Sequence, residues 1–176
     1  MHQEIFDVLD STNTYAKLHM ERLPHGSVIR ARYQTAGRGQ YTRTWQSTPN
    51  ENFLFSITFK HNLTLDTPTR VETIMIQTLQ SFLLGFGVHA RHVLPNDLFV
   101  GDKKLCGMLI EAKHEGSTLA SLVVGCGLNM NQRQFTNLPD ATSLSLLTNQ
   151  TYPIDTLFDA FIEQLFQNLN DQNMLK

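Results

Sequence analysis

Three short segments of this chain combine residue types that bind and activate anions. The longest is Gln34-Thr35-Ala36-Gly37-Arg38-Gly39-Gln40-Tyr41-Thr42-Arg43-Thr44-Trp45. Glycines 37 and 39 let the backbone turn tightly and bring its N–H groups to a ligand, and Arg38 between them can fork onto a carboxylate or phosphate. The cationic zone is wider than the loop. No acidic residue lies between Arg22 and Asn50, yet Arg22, Arg30, Arg32, Arg38 and Arg43 all do. Such a zone suits an anion, although a lone Gly-Arg-Gly reads equally well as a solvated surface loop. It is no P-loop, since no Gly-Lys-Ser/Thr follows and it opens no helix.

The second segment is Leu94-Pro95-Asn96-Asp97 with Lys103-Lys104-Leu105-Cys106-Gly107 just beyond it. A rigid turn there offers an amide and a carboxylate, and a returning hairpin sets a lysine near a glycine. The plainer reading is an Asx turn with exposed lysines. The third segment, Gly125-Cys126-Gly127-Leu128-Asn129-Met130-Asn131, ends an apolar run with two glycines around one small residue. A flat ligand lying against the backbone requires that pattern, and so does a simple bulge.

The elements that carry these segments follow from periodicity. Asp10-Ser11-Thr12-Asn13 is a cluster of N-cap residues ahead of a helix-forming stretch, Thr14 to Arg22, that must stop before Pro24. Ser27 to Gln34 alternates, with Ile29, Ala31 and Tyr33 on one face and Arg30, Arg32 and Gln34 on the other, predicting a half-buried strand with a basic face. Phe53, Phe55, Ile57 and Phe59 predict a second strand with one apolar face. Val71, Ile74, Met75, Leu79, Phe82 and Leu83 keep helical spacing over 69–84, and Gly85 closes that helix. Short strands are expected at 88–93 and 98–100, then two apolar runs at 107–112 and 119–127 joined at Glu115-Gly116-Ser117. A hairpin centred on Gly116 would set Cys106 opposite Cys126. An amphipathic helix from Asp155 carries Leu157, Phe158, Phe161, Leu165, Phe166 and Leu169. Hairpins with inserted helices indicate an α+β fold with a largely antiparallel sheet.

With 176 residues, 41% of them hydrophobic and 17% charged, the chain suits one globular domain over 1–176, without repeats or linkers. A formal charge of −2 is not the footprint of a nucleic-acid binder. No apolar run nears the roughly 20 residues of a bilayer span, so no membrane partner is expected. The start MHQEIFDVLD has neither the basic end nor the apolar core of a secretory signal, which points to the cytoplasm. Two cysteines are too few for a disulfide scaffold and are expected as thiols.

In this order, behind Ser11-Thr12-Asn13 and ahead of Ala141-Thr142-Ser143-Leu144, the three segments resemble the catalytic domain of biotin protein ligases. The resemblance implies a mixed sheet with helices packed on one side, related to class II aminoacyl-tRNA synthetases. It also implies a two-step reaction: biotin is activated by ATP to biotinyl-5′-AMP and then passed to a lysine of a biotin carboxyl carrier protein. On it, Ser11, Thr12, Asn13, Gln34, Gly37, Arg38, Lys104, Gly125 and Gly127 would meet biotin, the two strand glycines by flat backbone contact. Gly39, Gln40, Arg43, Trp45, Asn96 and Asn129 would meet ATP. Lys104, Arg38 and Asp97 would carry the chemistry. Mg²⁺ would come with the triphosphate, without protein ligands of its own, and a homodimer is compatible with the family.

The chain departs from the family at Gln40, where an arginine is usual, at Thr42, which replaces a glycine, and at Val93-Leu94, which replaces Lys-Trp. There is also no sign of an N-terminal DNA-binding helix-turn-helix, so a repressor role is not expected, nor of the small C-terminal barrel of many members. Two other readings stay open: a lipoate or octanoate ligase or transferase of the same fold, with Cys106 or Cys126 as acyl-bearing nucleophile, and a catalytically silent biotin-binding module.

Overall fold

A computed structural model describes residues 1–175, leaving Lys176 outside the described residues. Seven strands form one sheet in the order β1-β2-β3-β7-β6-β5-β4. They are β1 (Gln3–Phe6), β2 (Val28–Ala31), β3 (Asn52–Phe59), β4 (Arg91–Val93), β5 (Asp97–Val100), β6 (Lys103–Glu115) and β7 (Thr118–Asn129). Only β1 and β2 run parallel; every other pair is antiparallel. The four helices are α1 (Thr12–Leu18), α2 (Thr67–Leu84), α3 (Leu144–Thr148) and α4 (Ile154–Asp171). The α+β, largely antiparallel expectation therefore holds, with β1 and α3 added.

The long helices α2 and α4 cover one sheet face. Phe53 and Phe55 of β3 reach into that layer, where Phe158 stands edge-on to Phe53 at 5.2 Å and Phe161 edge-on to Phe82 at 5.3 Å. Rings at such distances and angles add attraction beyond the area they bury. The short α1 is the exception to helices on one side. It lies on the opposite face, where Ala16, Met20 and Leu23 pack on Ile29 and Val123. Because both faces of the sheet are covered there, every residue of β3 is buried, including Ser56 and Thr58, not the apolar alternates alone.

Strand β2 departs further from its expected half-exposed character. All four of its residues are buried, and Arg30, only 2% exposed, points under α4 rather than to water. Its guanidinium lies 4.1 Å from the Phe158 ring centroid and donates to Asp155 Oδ1 at 2.6 Å. Arg32 Nη1 donates to both oxygens of the same carboxylate at 2.9 Å. Arg22 is likewise taken, donating to Glu4 at 2.7 Å. These three arginines of the acid-free zone thus bond carboxylates contributed from outside it, and tie elements together.

The β6–β7 hairpin turns on Gly116-Ser117, with Gly116 at φ +61°. The two-residue turn and a bulge near Lys113/His114, which leaves Ala120 without a register partner, each move the pairing by one residue, so Met108, not Cys106, faces Cys126. Cys106 and Cys126 remain diagonal neighbours on the same face with their sulfurs 3.6 Å apart, both free thiols. Gly85 ends α2 as expected but keeps right-handed backbone; the left-handed residue is Gly87, at φ +75°. Among the described residues no helix is long and apolar enough to cross a membrane.

Arg30 makes Asp155 the anchor of α4. Removing the charge in Asp155→Asn should cost about 1 kcal/mol, a modest figure because Asp155 is half exposed to solvent. Asp155 is held below the ordinary carboxylate range chiefly by its hydrogen bond from Arg32; burial opposes this, and the hydrogen bond from Arg30 and the charges of both arginines add to the lowering. Its contribution is therefore present above the unfolded-state carboxylate pKa and is lost as pH falls toward the depressed one. Thermal melts of wild type and Asp155→Asn should differ by a few degrees near neutral pH, by roughly 2–4 °C per kcal/mol in a domain of this size. The two curves should converge in acid; an equal gap at all pH values would deny Asp155 this role.

Candidate functional site

The sheet face not covered by α2 and α4 is open only beyond α1, where glycine replaces side chains. Gly107 on β6 pairs with Gly127 on β7, and Gly125 pairs with Ser56 on β3 and Leu109 on β6. Over this floor lies a cavity of about 620 Å³. Its lining includes Ser11, Thr12, Asn13, Gln34, Arg38, Gly39, Gln40, Arg43, Trp45, Asn96, Asp97, Lys104, Gly125, Gly127 and Asn129. Of the residues expected at a site, Gly37 alone is outside the lining. It lies at the base of the loop, where a Cβ would fall 2.5 Å from the carbonyl oxygen of Trp45.

The chain itself fills the space left by two floor glycines. A Cβ at Gly125 would stand 2.0 Å from Asn13 Oδ1, and one at Gly127 2.4 Å from Trp45 Cε2. The flat surface anticipated for a ligand's backbone contact is therefore covered by the Asn13 amide and the Trp45 indole. Any ligand in the cavity meets those two groups first.

At the α1 end the side chains are locked by hydrogen bonds. Ser11 caps α1 by accepting from the Thr14 N–H at 3.4 Å. Thr12 donates to Gln34 Oε1 from its backbone at 2.7 Å and from its hydroxyl at 3.2 Å. Ser56 is paired with both Thr12 Oγ1 at 2.7 Å and Asn13 Oδ1 at 2.6 Å. Asn13 Nδ2 donates in turn to Leu109 O and to Glu111 Oε2. Neither Ser56 nor Glu111 stood out in the sequence. Ser56 looks like the polar side of an alternating strand, and Glu111 like a charge on a hairpin arm.

The Gly-Arg-Gly loop is a small hairpin rather than a free loop. Arg38 bridges Thr44, the Gly39 N–H donates to Arg43 O at 2.8 Å, and the Trp45 N–H donates to Gly37 O at 2.9 Å. Gly39's N–H is thus consumed inside the hairpin and is not offered to a ligand. Tyr41, at φ +57°, takes the left-handed position at the tip beside Thr42. Arg38 does not present an empty fork either: both its terminal nitrogens donate to the Glu111 carboxylate at 3.0 Å. Burial pushes the Glu111 carboxyl up, but the hydrogen bonds from Lys17, Asn13 and Arg38 outweigh it and hold it below the ordinary range. Among the described residues Arg43, at the rim, makes no side-chain ion pair or hydrogen bond.

At the other end, Lys104 Nζ lies 2.8 Å from Asp97 Oδ2 and 5.7 Å from the Trp45 ring centroid. The backbone of Lys104 is clasped by the 138–142 segment, donating to Asp140 O at 2.6 Å and accepting from the Thr142 N–H at 2.9 Å. Asn96, expected near a nucleotide, spends its amide donor on Met108 O and fixes the turn to β6. Asn129 donates to Thr142 O at 2.9 Å, which leaves its buried Oδ1 without a partner; Trp45 Nε1 is also buried and unpaired. Phe99, Phe135 and Leu138 supply apolar wall, of which Phe135 and Leu138 come from a loop with no sequence signal. Among the described residues no cluster of three or more His, Cys, Asp or Glu could hold a metal ion. Cys126 is buried, and its contact with Cys106, together with burial, pushes its thiol well above the usual range.

The family model described as the biotin/lipoate A/B protein ligase family matches residues 5–129, and the chain belongs to that family. The bifunctional ligase/repressor BirA of Bacillus subtilis (strain 168) is 32% identical over 151 residues, covering 82% of this chain and 46% of the relative. BirA of Escherichia coli (strain K12) is 30% identical over 131 residues, covering 74% and 41%. The chain thus spans less than half the length of these relatives. Among solved structures, biotin protein ligase from Aquifex aeolicus in complex with biotin and ATP matches with a TM-score of 0.77 at 24% identity, over 96% of this chain and 70% of that one. The Leishmania major enzyme in complex with biotinyl-5-AMP matches at 0.78 and 21%, over 97% and 75%. At these identities the two structures speak for the fold.

Trp45 is the chain's one tryptophan, so its fluorescence reports the floor directly. Gly127→Ala places a methyl group inside the indole and should shift the emission maximum while the protein still melts cooperatively. An unchanged spectrum would mean that Trp45 does not rest on Gly127.

Proposed function

We propose that this chain is the catalytic domain of a cytoplasmic biotin protein ligase, which activates biotin with ATP to biotinyl-5′-AMP and transfers it to a lysine of a biotin carboxyl carrier protein. The observation that carries this reading is the Lys104–Asp97 pair, inside a cavity whose far end is the locked Thr12–Gln34–Asn13 group. A ureido ring needs fixed donors and acceptors at short range, which that group supplies. The carboxylate at the end of an aliphatic tail needs a cation one tail length away.

In the first step a biotin carboxylate oxygen forms a bond to the α-phosphorus of ATP and pyrophosphate leaves. Two anions must be held together, and Lys104 is the cation placed to do so, with Asp97 fixing its ammonium and Arg43 free at the rim. Preorganised charge of this kind acts without reorganisation cost at the moment of reaction. The cavity wall at Asn129 and Phe135 suits the nucleoside. Mg²⁺ would enter on the triphosphate as part of the substrate, held mainly through phosphate oxygens. In the second step the amine of a carrier lysine attacks the acyl carbon and AMP leaves. Gln40 lines the cavity where the family resemblance expects a cation, so less charge holds the adenylate here. The acyl-cysteine alternative is disfavoured, because both thiols are buried and Cys126 resists ionisation.

Biotin-dependent ATP–pyrophosphate exchange tests the proposal, with lipoate and octanoate as controls. Wild type should exchange with biotin alone, and Lys104→Ala should lose about 10²-fold or more in rate, the usual cost of removing one transition-state charge contact. Its melting temperature should move by only a few degrees. Biotin binding without exchange would identify a silent module, and exchange with lipoate instead would move the chain to the other branch of its family.

A further inference from the structure

Glu111 lies outside the cavity lining, yet its carboxylate joins the cavity's floor to its roof. Oε1 accepts from Arg38 Nη2 at 3.0 Å and Lys17 Nζ at 2.6 Å. Oε2 accepts from Arg38 Nη1 at 3.0 Å and Asn13 Nδ2 at 2.9 Å. Two parallel bonds from a guanidinium fix orientation as well as distance, and a pair embedded in a network escapes the weakness of isolated surface ion pairs. The carboxylate is only 20% exposed.

The roof is the hairpin from Gly37 to Trp45, whose tip is exposed at Tyr41 and Thr42. Its internal hydrogen bonds shape it but do not hold it down, and an isolated hairpin of this length does not keep them once released. Among the described residues, Arg38–Glu111 is the one ion pair between this hairpin and the sheet. The floor is Gly125 under Asn13, and the same carboxylate accepts from Asn13. Because Asn13 Nδ2 is committed to Glu111 and Leu109, its Oδ1 faces Ser56.

We propose that Glu111 is a positioning residue that latches the 37–45 hairpin over the cavity through the fork of Arg38, so that Arg38 acts as a strap rather than as an anion hook. The site's substrate cations are then Lys104 and Arg43. Opening the strap lets substrate escape without altering the groups that act on it. The activity consequence rests on the biotin-activation reading; the latch itself does not.

The experiment is a double-mutant cycle of Glu111→Gln, Arg38→Gln and their combination, read in two ways. In ligand-free protein, amide hydrogen exchange at Gly39, Arg43 and Trp45 should quicken roughly tenfold in each single variant, within the range of coupling between residues in direct contact. Core amides of Phe55 and Val124 should stay as in wild type. In pyrophosphate exchange, the KM for biotin should rise by a similar factor with kcat within about threefold, and the double variant should be no worse than either single one. Unchanged hairpin exchange in Glu111→Gln, or additive effects, would overturn the latch, the latter assigning Glu111 to Lys17 and Asn13 alone. If wild type shows no pyrophosphate exchange, the functional reading fails, and the amide-exchange cycle still decides the latch.

Discussion

The absence of side chains at three strand positions is the constraint from which the site follows. With α2 and α4 sealing one sheet face, only the other can accept a ligand, and only where Gly107, Gly125 and Gly127 leave depth. The chain lines that depth with two of its own groups, the Asn13 amide and the Trp45 indole. Asn13 can reach Gly125 because Ser11 starts α1 at the right height and Ser56, small and polar beneath it, accommodates its carboxamide. A larger residue at any of these places would lift α1 or the hairpin and close the cavity. Floor, helix start and roof are therefore a single fitted unit, although they come from distant parts of the sequence.

The charges are arranged with similar economy. The protein is nearly neutral overall, and its cation-rich zone is divided between two sheet faces. Arg30 and Arg32 fasten α4 at Asp155, away from the cavity, while Arg38 is turned onto Glu111 and Lys104 onto Asp97. A cation with a carboxylate partner is positioned before any ligand arrives. Arg43, which has no carboxylate partner among the described residues, stands at the rim where a phosphate could reach it.

Most of the site was legible in the sequence because it is built from short contiguous motifs whose order survives in a single chain. Turn residues, cap residues and glycines constrain the backbone locally, but Ser11, Gln34, Asn96, Lys104 and Gly127 could be grouped into one candidate site only through the resemblance of their ordered motifs to biotin protein ligases. The long elements were legible for the same reason, their apolar period being local. What escaped depends on tertiary neighbours. Strand β1 is four residues at a sheet edge and gains its order from β2 and from Glu4 with Arg22 and Tyr15. Arg30 looked solvent-facing because alternation says which residues share a face, not whether a helix covers it. Glu111 and the fork of Arg38 lie 73 positions apart. The register of Cys106 and Cys126 turned on a two-residue tip and on a bulge at Ala120 that carries no glycine to announce it.

The most direct test of this account is a crystal structure of the protein with biotin and a non-hydrolysable ATP analogue. Biotin should lie in the cavity with its ring against Trp45 and the Thr12–Gln34 pair. Its carboxylate should be within about 3 Å of Lys104 Nζ, the reach of a charged hydrogen bond. A carboxylate directed away from Lys104, or biotin bound outside this cavity, would contradict the assignment of Lys104 and Asp97 to the reacting end.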